Sequence, residues 1–389
     1  MNTQTVFEED KEYIAGTYRR FPVAFQSGEG AVLTDAEGKR YLDFGSGIAV
    51  NIFGVNDEAW KQAVIAQVNQ IQHTSNLYYT QPQVELAKLL CEKTGAKKVF
   101  FGNSGAEANE CAIKVARKYS SDRYGAGRHE IVTLKNSFHG RTIATLSATG
   151  QEAFHRYFGP FLEGFSYAEP NLASTLACMT DKTCAVMIEL VQGESGVRKL
   201  DEDYVKALER VCRERDILLI VDEVQTGNGR TGYLYAYEAY GIAPDIVTTA
   251  KGLGGGLPLG ACMLFAKTEQ VLGPGAHGST FGGNPVACAG AVSILSRLDE
   301  SLFLEVRGKS AYLRALLSKI GGVEEVTGMG LMIGLALKEK KAAEVAAKCL
   351  EKGLLVLTAH ERVRLLPPLT VTKDEIDAAV KILSEVIGA

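Results

Sequence analysis

Short continuous apolar runs alternate with longer segments of helical period between about residue 98 and residue 266, and few architectures accept that alternation. The runs are Val99-Phe100-Phe101, Ile131-Val132-Thr133-Leu134, Ala185-Val186-Met187-Ile188, Ile217 to Val221, Ile246-Val247-Thr248 and Met263-Leu264-Phe265. A segment that is apolar at every position has no face to give to water. It therefore belongs in a parallel strand covered on both sides by helices. Between the runs, Ala108, Ala112, Val115, Ala116 and Tyr119 share one helical face, as do Tyr204, Leu208, Val211 and Cys212, and these read as the crossover helices. The expected fold class is α/β, with a mostly parallel central sheet flanked by helices.

After about residue 290 the texture changes to Leu/Glu/Lys-rich helices around a few strands, such as Leu331 to Leu337 and Leu354 to Leu357. The last helix opens at Thr372 with Glu375 three residues on, the pattern of a capping box. Single cores stop growing at about 250–300 residues, so the 389 residues imply more than one unit. The expected division is a large α/β domain over 46–285, a small α+β domain over 286–389, and an N-terminal segment, 1–45, packing with the small domain.

Hydrophobic residues are 46% of the chain and charged residues 23%, enough apolar material for large cores, which excludes disorder. The net charge is -4 and the basic residues are scattered, so nucleic acid is not an expected partner. Met1 to Gly16 is acidic and lacks the apolar stretch of a secretion signal, and no run approaches the roughly 18 residues of a membrane helix. A cytoplasmic protein without membrane contact is expected. Cys91, Cys111, Cys178, Cys184, Cys212, Cys262, Cys288 and Cys349 form no C-x-x-C pair, and they read as reduced, buried small hydrophobes, with no metal site.

In an open α/β sheet, ligands bind beyond the carboxyl ends of the strands, so the turns after the apolar runs carry the search. After Phe101, Gly102-Asn103-Ser104-Gly105-Ala106 opens a helix whose free N–H groups suit a phosphate, although Asn103 or Ser104 acting only as a cap explains the turn equally. The strand ending in Asp222 buries a carboxylate that needs a cationic or protonated partner, and a structural salt bridge would also meet that need. Lys251, in Ala250-Lys251-Gly252-Leu253-Gly254, sits where glycines let a bulky group approach and where apolar surroundings free its amine; a surface lysine before a loop is the alternative. Asn136 to Thr142 offers Phe138 as an aromatic plate and Arg141 as a carboxylate fork, with His139 open to a purely structural reading. Gly227, Gly229 and Gly232 match G-x-G-x-x-G but open no amphipathic helix, so a dinucleotide site is not expected. Jointly, a phosphate nest, an aromatic plate, a strand-end aspartate and a glycine-flanked lysine amount to a pyridoxal 5'-phosphate site.

The segments Tyr41 to Asn51, Phe101 to Lys118, Asn136 to Thr142, Val191 to Val197, Asp222 to Gly232 and Ala250 to Ala261 carry a further implication. Through them the chain resembles the class III, or ornithine-type, aminotransferases of fold type I over nearly its whole length. The resemblance implies that Lys251 holds pyridoxal phosphate as an imine and that Asp222 pairs with the pyridinium nitrogen. Gln225 approaches the ring hydroxyl, Phe138 stacks opposite Val224, and Gly105 and Ala106 offer N–H groups to the phosphate. It also implies a homodimer in which the segment His277 to Pro285, with Ser279 and Thr280, reaches across so that Thr280 meets the neighbour's phosphate. Arg141 would grip the remote substrate carboxylate, Glu194 and Arg364 would form a switch between a neutral and a dicarboxylate substrate, and Tyr79 would line the entrance.

The substrates implied are an acylated ornithine, N-acetylornithine foremost, and 2-oxoglutarate or glutamate. Gly47 stands where relatives acting on free ornithine carry a tyrosine; ornithine, succinylornithine and 4-aminobutyrate are the alternatives. The chain departs from the family at Ala106, where threonine is usual, at Leu190, in place of a proline, and at Ile52-Phe53-Gly54-Val55-Asn56, in place of a glycine- and histidine-rich turn.

Overall fold

A computed structural model describes residues 3–388, so the first two residues of the expected N-terminal segment and the last residue of the expected small domain lie outside the described residues. Each of the six apolar runs supplies a strand to one seven-stranded sheet. The strands are β1 (Lys98–Gly102), β2 (Glu130–Leu134), β3 (Phe165–Ala168), β4 (Thr183–Ile188), β5 (Leu218–Asp222), β6 (Ile246–Thr249) and β7 (Gly260–Leu264), in the spatial order β1-β7-β6-β5-β4-β2-β3. Strands β4, β5 and β7 are buried at every residue, as runs covered on both faces must be.

Two points differ from the sequence reading. Met263-Leu264-Phe265 was expected among the parallel strands, but β7 runs antiparallel to both neighbours, with Thr248 opposite Cys262 and Cys262 opposite Phe100. The reason is length: a parallel crossover needs a dozen or more residues and usually a helix, whereas residues 250–259 between β6 and β7 hold only the 3-10 turn Lys251–Leu253. Strand β3, at the sheet edge, has no apolar run to reveal it; only Ala168 in Phe-Ser-Tyr-Ala is fully buried.

The helix Gly105–Tyr124 lies across the sheet on its small residues Ala108, Ala112, Val115 and Ala116, all buried. Helix Glu202–Glu214 is capped by Asp201, whose carboxylate accepts the Tyr204 N–H at 2.8 Å, and buries Tyr204, Leu208 and Cys212. Toward the C-terminus, Val323–Met329, Met332–Leu337, Leu357–Ala359 and Arg362–Leu365 form a four-stranded antiparallel sheet. The apolar run Leu354 to Leu357 is divided: Leu354–Leu355 pairs in parallel with Arg40–Asp43 of the N-terminal strands, and Leu357 begins the next strand. All eight cysteines are free. Among the described residues no helix is long and apolar enough to cross a membrane, and no cluster of metal-ligating side chains occurs.

The closing helix Lys373–Gly388 is held at its start by reciprocal bonds. The Thr372 N–H donates to Glu375 Oε2 at 2.7 Å, and the Glu375 N–H donates to Thr372 Oγ1 at 3.2 Å. Thr372→Ala is expected to lower stability by about 1 kcal/mol in urea unfolding while leaving activity intact. An unchanged unfolding midpoint would show that the cap contributes nothing.

Candidate active site

The carboxyl ends of β1, β2, β4, β5 and β6 open on one cleft of about 430 Å3. Its walls are Ser104, Gly105 and Ala106 after β1, Phe138 to Arg141 after β2, Glu189 after β4, Asp222, Val224 and Gln225 at the end of β5, and Lys251 after β6. The sequence-derived candidates from these turns thus converge, although they are spread over some 150 residues of chain.

At the anion end, Ser104 caps the helix Gly105–Tyr124 by accepting the Glu107 N–H at 3.1 Å, and the N–H groups of the first turn have no intrahelical partner. With the helix dipole behind them they favour a phosphate. Gly105 is required here, because a Cβ would lie 2.7 Å from Val224 Cγ1. Ala106, the departure from the family threonine, keeps its backbone in the lining.

At the opposite end, Asp222 is 4% exposed and accepts three N–H donors. His139 Nδ1 and Asn109 Nδ2 reach Oδ2 at 2.8 and 2.7 Å, and the Val224 N–H reaches Oδ1 at 3.0 Å. Asn109 is itself fixed, donating to His139 O at 2.7 Å and accepting from Thr248 Oγ1 at 2.6 Å. A carboxylate has about four acceptor positions, so one remains for a donor in the cleft. The partner demanded by the buried aspartate is therefore a histidine, which the sequence left open to a structural role, and an asparagine that it did not single out. His139 stood in the plate motif and Asn109 at the second turn of the nest helix; the signal was the rule that a buried carboxylate needs donors, without a means to say which.

Lys251 lines the same cleft as Asp222, just past the end of β6, with a left-handed φ of 45°, a conformation that an L-residue holds only when its surroundings impose it. Burial pushes its amine below the ordinary lysine range, while Glu194, Asp222 and Glu189 pull the other way. Glu189, also missed from sequence, accepts the Phe138 N–H at 2.8 Å. Burial, and then the neighbouring Asp222, raise its carboxyl well above the usual range.

Beside Gln225, Arg364 donates from Nη1 to Glu194 Oε1 at 2.7 Å and to Gln225 Oε1 at 3.3 Å. Burial would raise the Glu194 carboxyl, but the guanidinium overrides it and holds the group below its ordinary value. Gly47 lies in a reversed turn in which Ser46, Gly47, Ile48 and Ala49 have φ of 47, 61, 65 and 62°, leading into Val50 on the cleft wall. Asp43 Oδ1 holds that turn by accepting the Gly45 and Ser46 N–H groups at 2.8 and 2.9 Å. Leu190 fills the core completely and its carbonyl accepts the Tyr240 hydroxyl at 3.1 Å.

Ser279 touches the cleft through Asn103, whose Nδ2 lies 3.2 Å from Ser279 Oγ. Thr280 and Tyr79 are not brought into this cleft. Thr280 is exposed beside His73 to Asn76, and Tyr79 is 97% exposed on a separate depression of about 580 Å3 with Gln67, Ile71 and Tyr78.

Residues 13–387 match the family described as aminotransferase class-III. The acetylornithine aminotransferase of Haemophilus ducreyi is 48% identical over 392 aligned positions, covering 100% of both chains. Among solved structures, the ornithine aminotransferase of Toxoplasma gondii superposes with a TM-score of 0.95 at 31% identity, over 100% of this chain and 95% of that one. The N-acetylornithine aminotransferase of Stenotrophomonas maltophilia does so with a TM-score of 0.85 at 34% identity, over 98% of each chain.

A lysine whose pKa is depressed holds more free amine at any pH below its ordinary range. In protein treated with hydroxylamine to free any imine-bound carbonyl compound and then dialysed, brief formaldehyde and cyanoborohydride treatment near neutral pH is expected to methylate Lys251 ahead of exposed Lys97. Peptide mass spectrometry across pH checks it, and equal labelling profiles would contradict the burial effect.

Proposed function

The chain belongs to the class-III aminotransferases, and on that premise we propose that it moves the ω-amino group of N2-acetyl-L-ornithine to 2-oxoglutarate, giving N-acetyl-glutamate 5-semialdehyde and L-glutamate. The cofactor is pyridoxal 5'-phosphate, and the reaction serves arginine biosynthesis in the cytoplasm, a setting that eight unpaired cysteines suit. The carrying observation is the cleft itself: a half-buried lysine and a strand-end carboxylate line it together with one open arginine, and a second arginine, masked by Glu194, adjoins it through Gln225.

The residues present fit the cofactor. Asp222 retains one acceptor position, the glycine at 105 lets the helix N-terminus close against Val224, and about 430 Å3 accommodates the group with a small amino acid. When bound, pyridoxal phosphate supplies an electron sink for a substrate carbon that has lost a proton. Lys251 Nζ would hold it and, as a free amine, would take a proton from the substrate carbon beside the reacting amine and return it. Asp222 would hold the ring N–H, Phe138 and Val224 would flank the ring, Gln225 would meet the ring hydroxyl, and the Gly105 and Ala106 N–H groups would take the phosphate.

Arg141 takes the carboxylate remote from the reacting amine. Glu194 masks Arg364 while the ω-amine end of N-acetylornithine, which bears no carboxylate, is near and releases it for the carboxylate beside the amine of glutamate; the 2.7 Å pair supports the masked state. A homodimer completes the site. Leu77, Tyr78, Tyr79 and Phe281 are 87, 67, 97 and 59% exposed, an apolar face of the kind that a second copy covers. On it Thr280 and Tyr79 would serve the partner's site, with Ser279 bridging through Asn103.

Purified protein mixed with 2-oxoglutarate and N-acetylornithine, ornithine, succinylornithine or 4-aminobutyrate is expected to form glutamate fastest with N-acetylornithine. A faster reaction with another donor would move the substrate assignment while leaving Lys251 in place, and protein without cofactor absorbance would overturn the reading. Asp222→Asn should bind the cofactor yet lose at least a hundredfold in kcat, because an ion pair to the ring is worth several kcal/mol, of which about 2.7 makes a factor of 100. Gly47→Tyr should favour free ornithine at a stability cost of about 1 kcal/mol for the left-handed φ of 61°, read from relative kcat/KM and thermal unfolding.

A further inference from the structure

Two arginines serve the cleft, and they are held by opposite means. Arg364 is buried and paired with Glu194. Arg141 is exposed, and among the described residues no carboxylate or carbonyl engages its guanidinium. What it does touch is aromatic: its guanidinium carbon lies 4.0 Å from the ring centroid of Phe154 and 5.6 Å from that of Phe138. The two rings meet edge to face, with centroids 5.8 Å apart and planes at 75°.

Phe154 sits on the short helix Glu152–His155, which is tied down on both sides. Ahead of it, Gln151 Nε2 donates to Ser137 O at 3.0 Å, next to the plate residue Phe138, and Gln151 Oε1 lies 3.2 Å from His360 Nε2, in the hairpin that carries Arg364. Behind it, His155 contacts Leu146 O at 2.8 Å and packs against Phe161 and Tyr167 with centroids 4.8 and 5.9 Å away. The shelf under Arg141 is thereby registered both to the plate and to the segment bearing the second arginine.

We propose that Phe154 is a positioning residue for substrate recognition, an aromatic shelf that holds Arg141 open for the remote carboxylate of both substrates; this rests on the aminotransferase reading above. The physical point is which part of the guanidinium is used. All five N–H groups lie in its plane, and stacking occupies only the face. An acidic partner would hold Arg141 equally well but would take the fork that a substrate carboxylate needs. A face-on ring restrains the long side chain and leaves the fork free.

The test compares N-acetylornithine with N-acetylputrescine, which offers the same amine without the carboxylate, in wild type, Phe154→Leu, Phe154→Tyr and Arg141→Met, each with its cofactor spectrum recorded. Phe154→Leu is expected to raise KM for N-acetylornithine and glutamate roughly three- to thirty-fold, the range of one cation–π contact. Its kcat, its spectrum and its N-acetylputrescine kinetics should stay near wild type. Phe154→Tyr, which keeps the ring face, should restore KM, and Phe154→Leu should add nothing once Arg141→Met is present. If wild type prefers the carboxylate-bearing donor but Phe154→Leu leaves its KM unchanged, or raises KM equally in the Arg141→Met background, the shelf is refuted and the assignment of Arg141 survives. If wild type shows no such preference, the assignment of Arg141 falls and the shelf with it.

Discussion

A carboxylate buried at the end of a central strand imposes the main constraint on this molecule. Asp222 cannot stay there without donors, and the donors come from three directions: Asn109 from the helix after β1, His139 from the turn after β2, and the Val224 N–H from its own turn. Thr248 on β6 extends the network through Asn109. One charge therefore fixes four strand ends relative to one another, and the phosphate nest, aromatic plate and lysine are carried on those same ends. A scaffold arranged this way has its dipoles in place before a ligand arrives, which is where most of the electrostatic advantage of an enclosed site originates.

Around that fixed point, like groups behave oppositely according to their partners. Glu189 is buried and Glu194 half-buried, both near Lys251, yet burial and Asp222 push the first up, whereas Arg364 overrides desolvation and holds the second down. Arg141 and Arg364 differ in the same way, one resting on an aromatic face and the other closed by a carboxylate. At the cleft one arginine thus has an open fork and the other a fork closed by a carboxylate, the difference that the proposed reaction, whose two amino donors differ by a carboxylate, would require.

Much of this was legible from residues alone. Runs apolar at every position marked the strands, and the turns following them contained the nest, Phe138, Arg141, Asp222 and Lys251. The antiparallel direction of β7 was implicit in the short connection before it but hidden by its apolar pattern, which a strand covered on both faces shows whichever way it runs. His139, Asn109 and Glu189 were harder, because a lone histidine, asparagine or glutamate carries no periodic signal. Phe154 was invisible, since its meaning depends on a ring face beneath a particular guanidinium.

The sequence by itself determined the layered α/β class, the order along the chain of six of the seven strands in the large sheet, the capped helix at Thr372, and the residue types the cofactor chemistry requires, because hydrophobic period, turn chemistry and motif spacing are local properties. The tertiary structure alone decided which donors satisfy Asp222, that Lys251 and the 46–49 turn hold left-handed backbones, and that Arg141 is open while Arg364 is closed. Those are contacts between side chains tens to hundreds of residues apart. Their geometry exists only once the sheet has brought the strand ends together and withdrawn them from water.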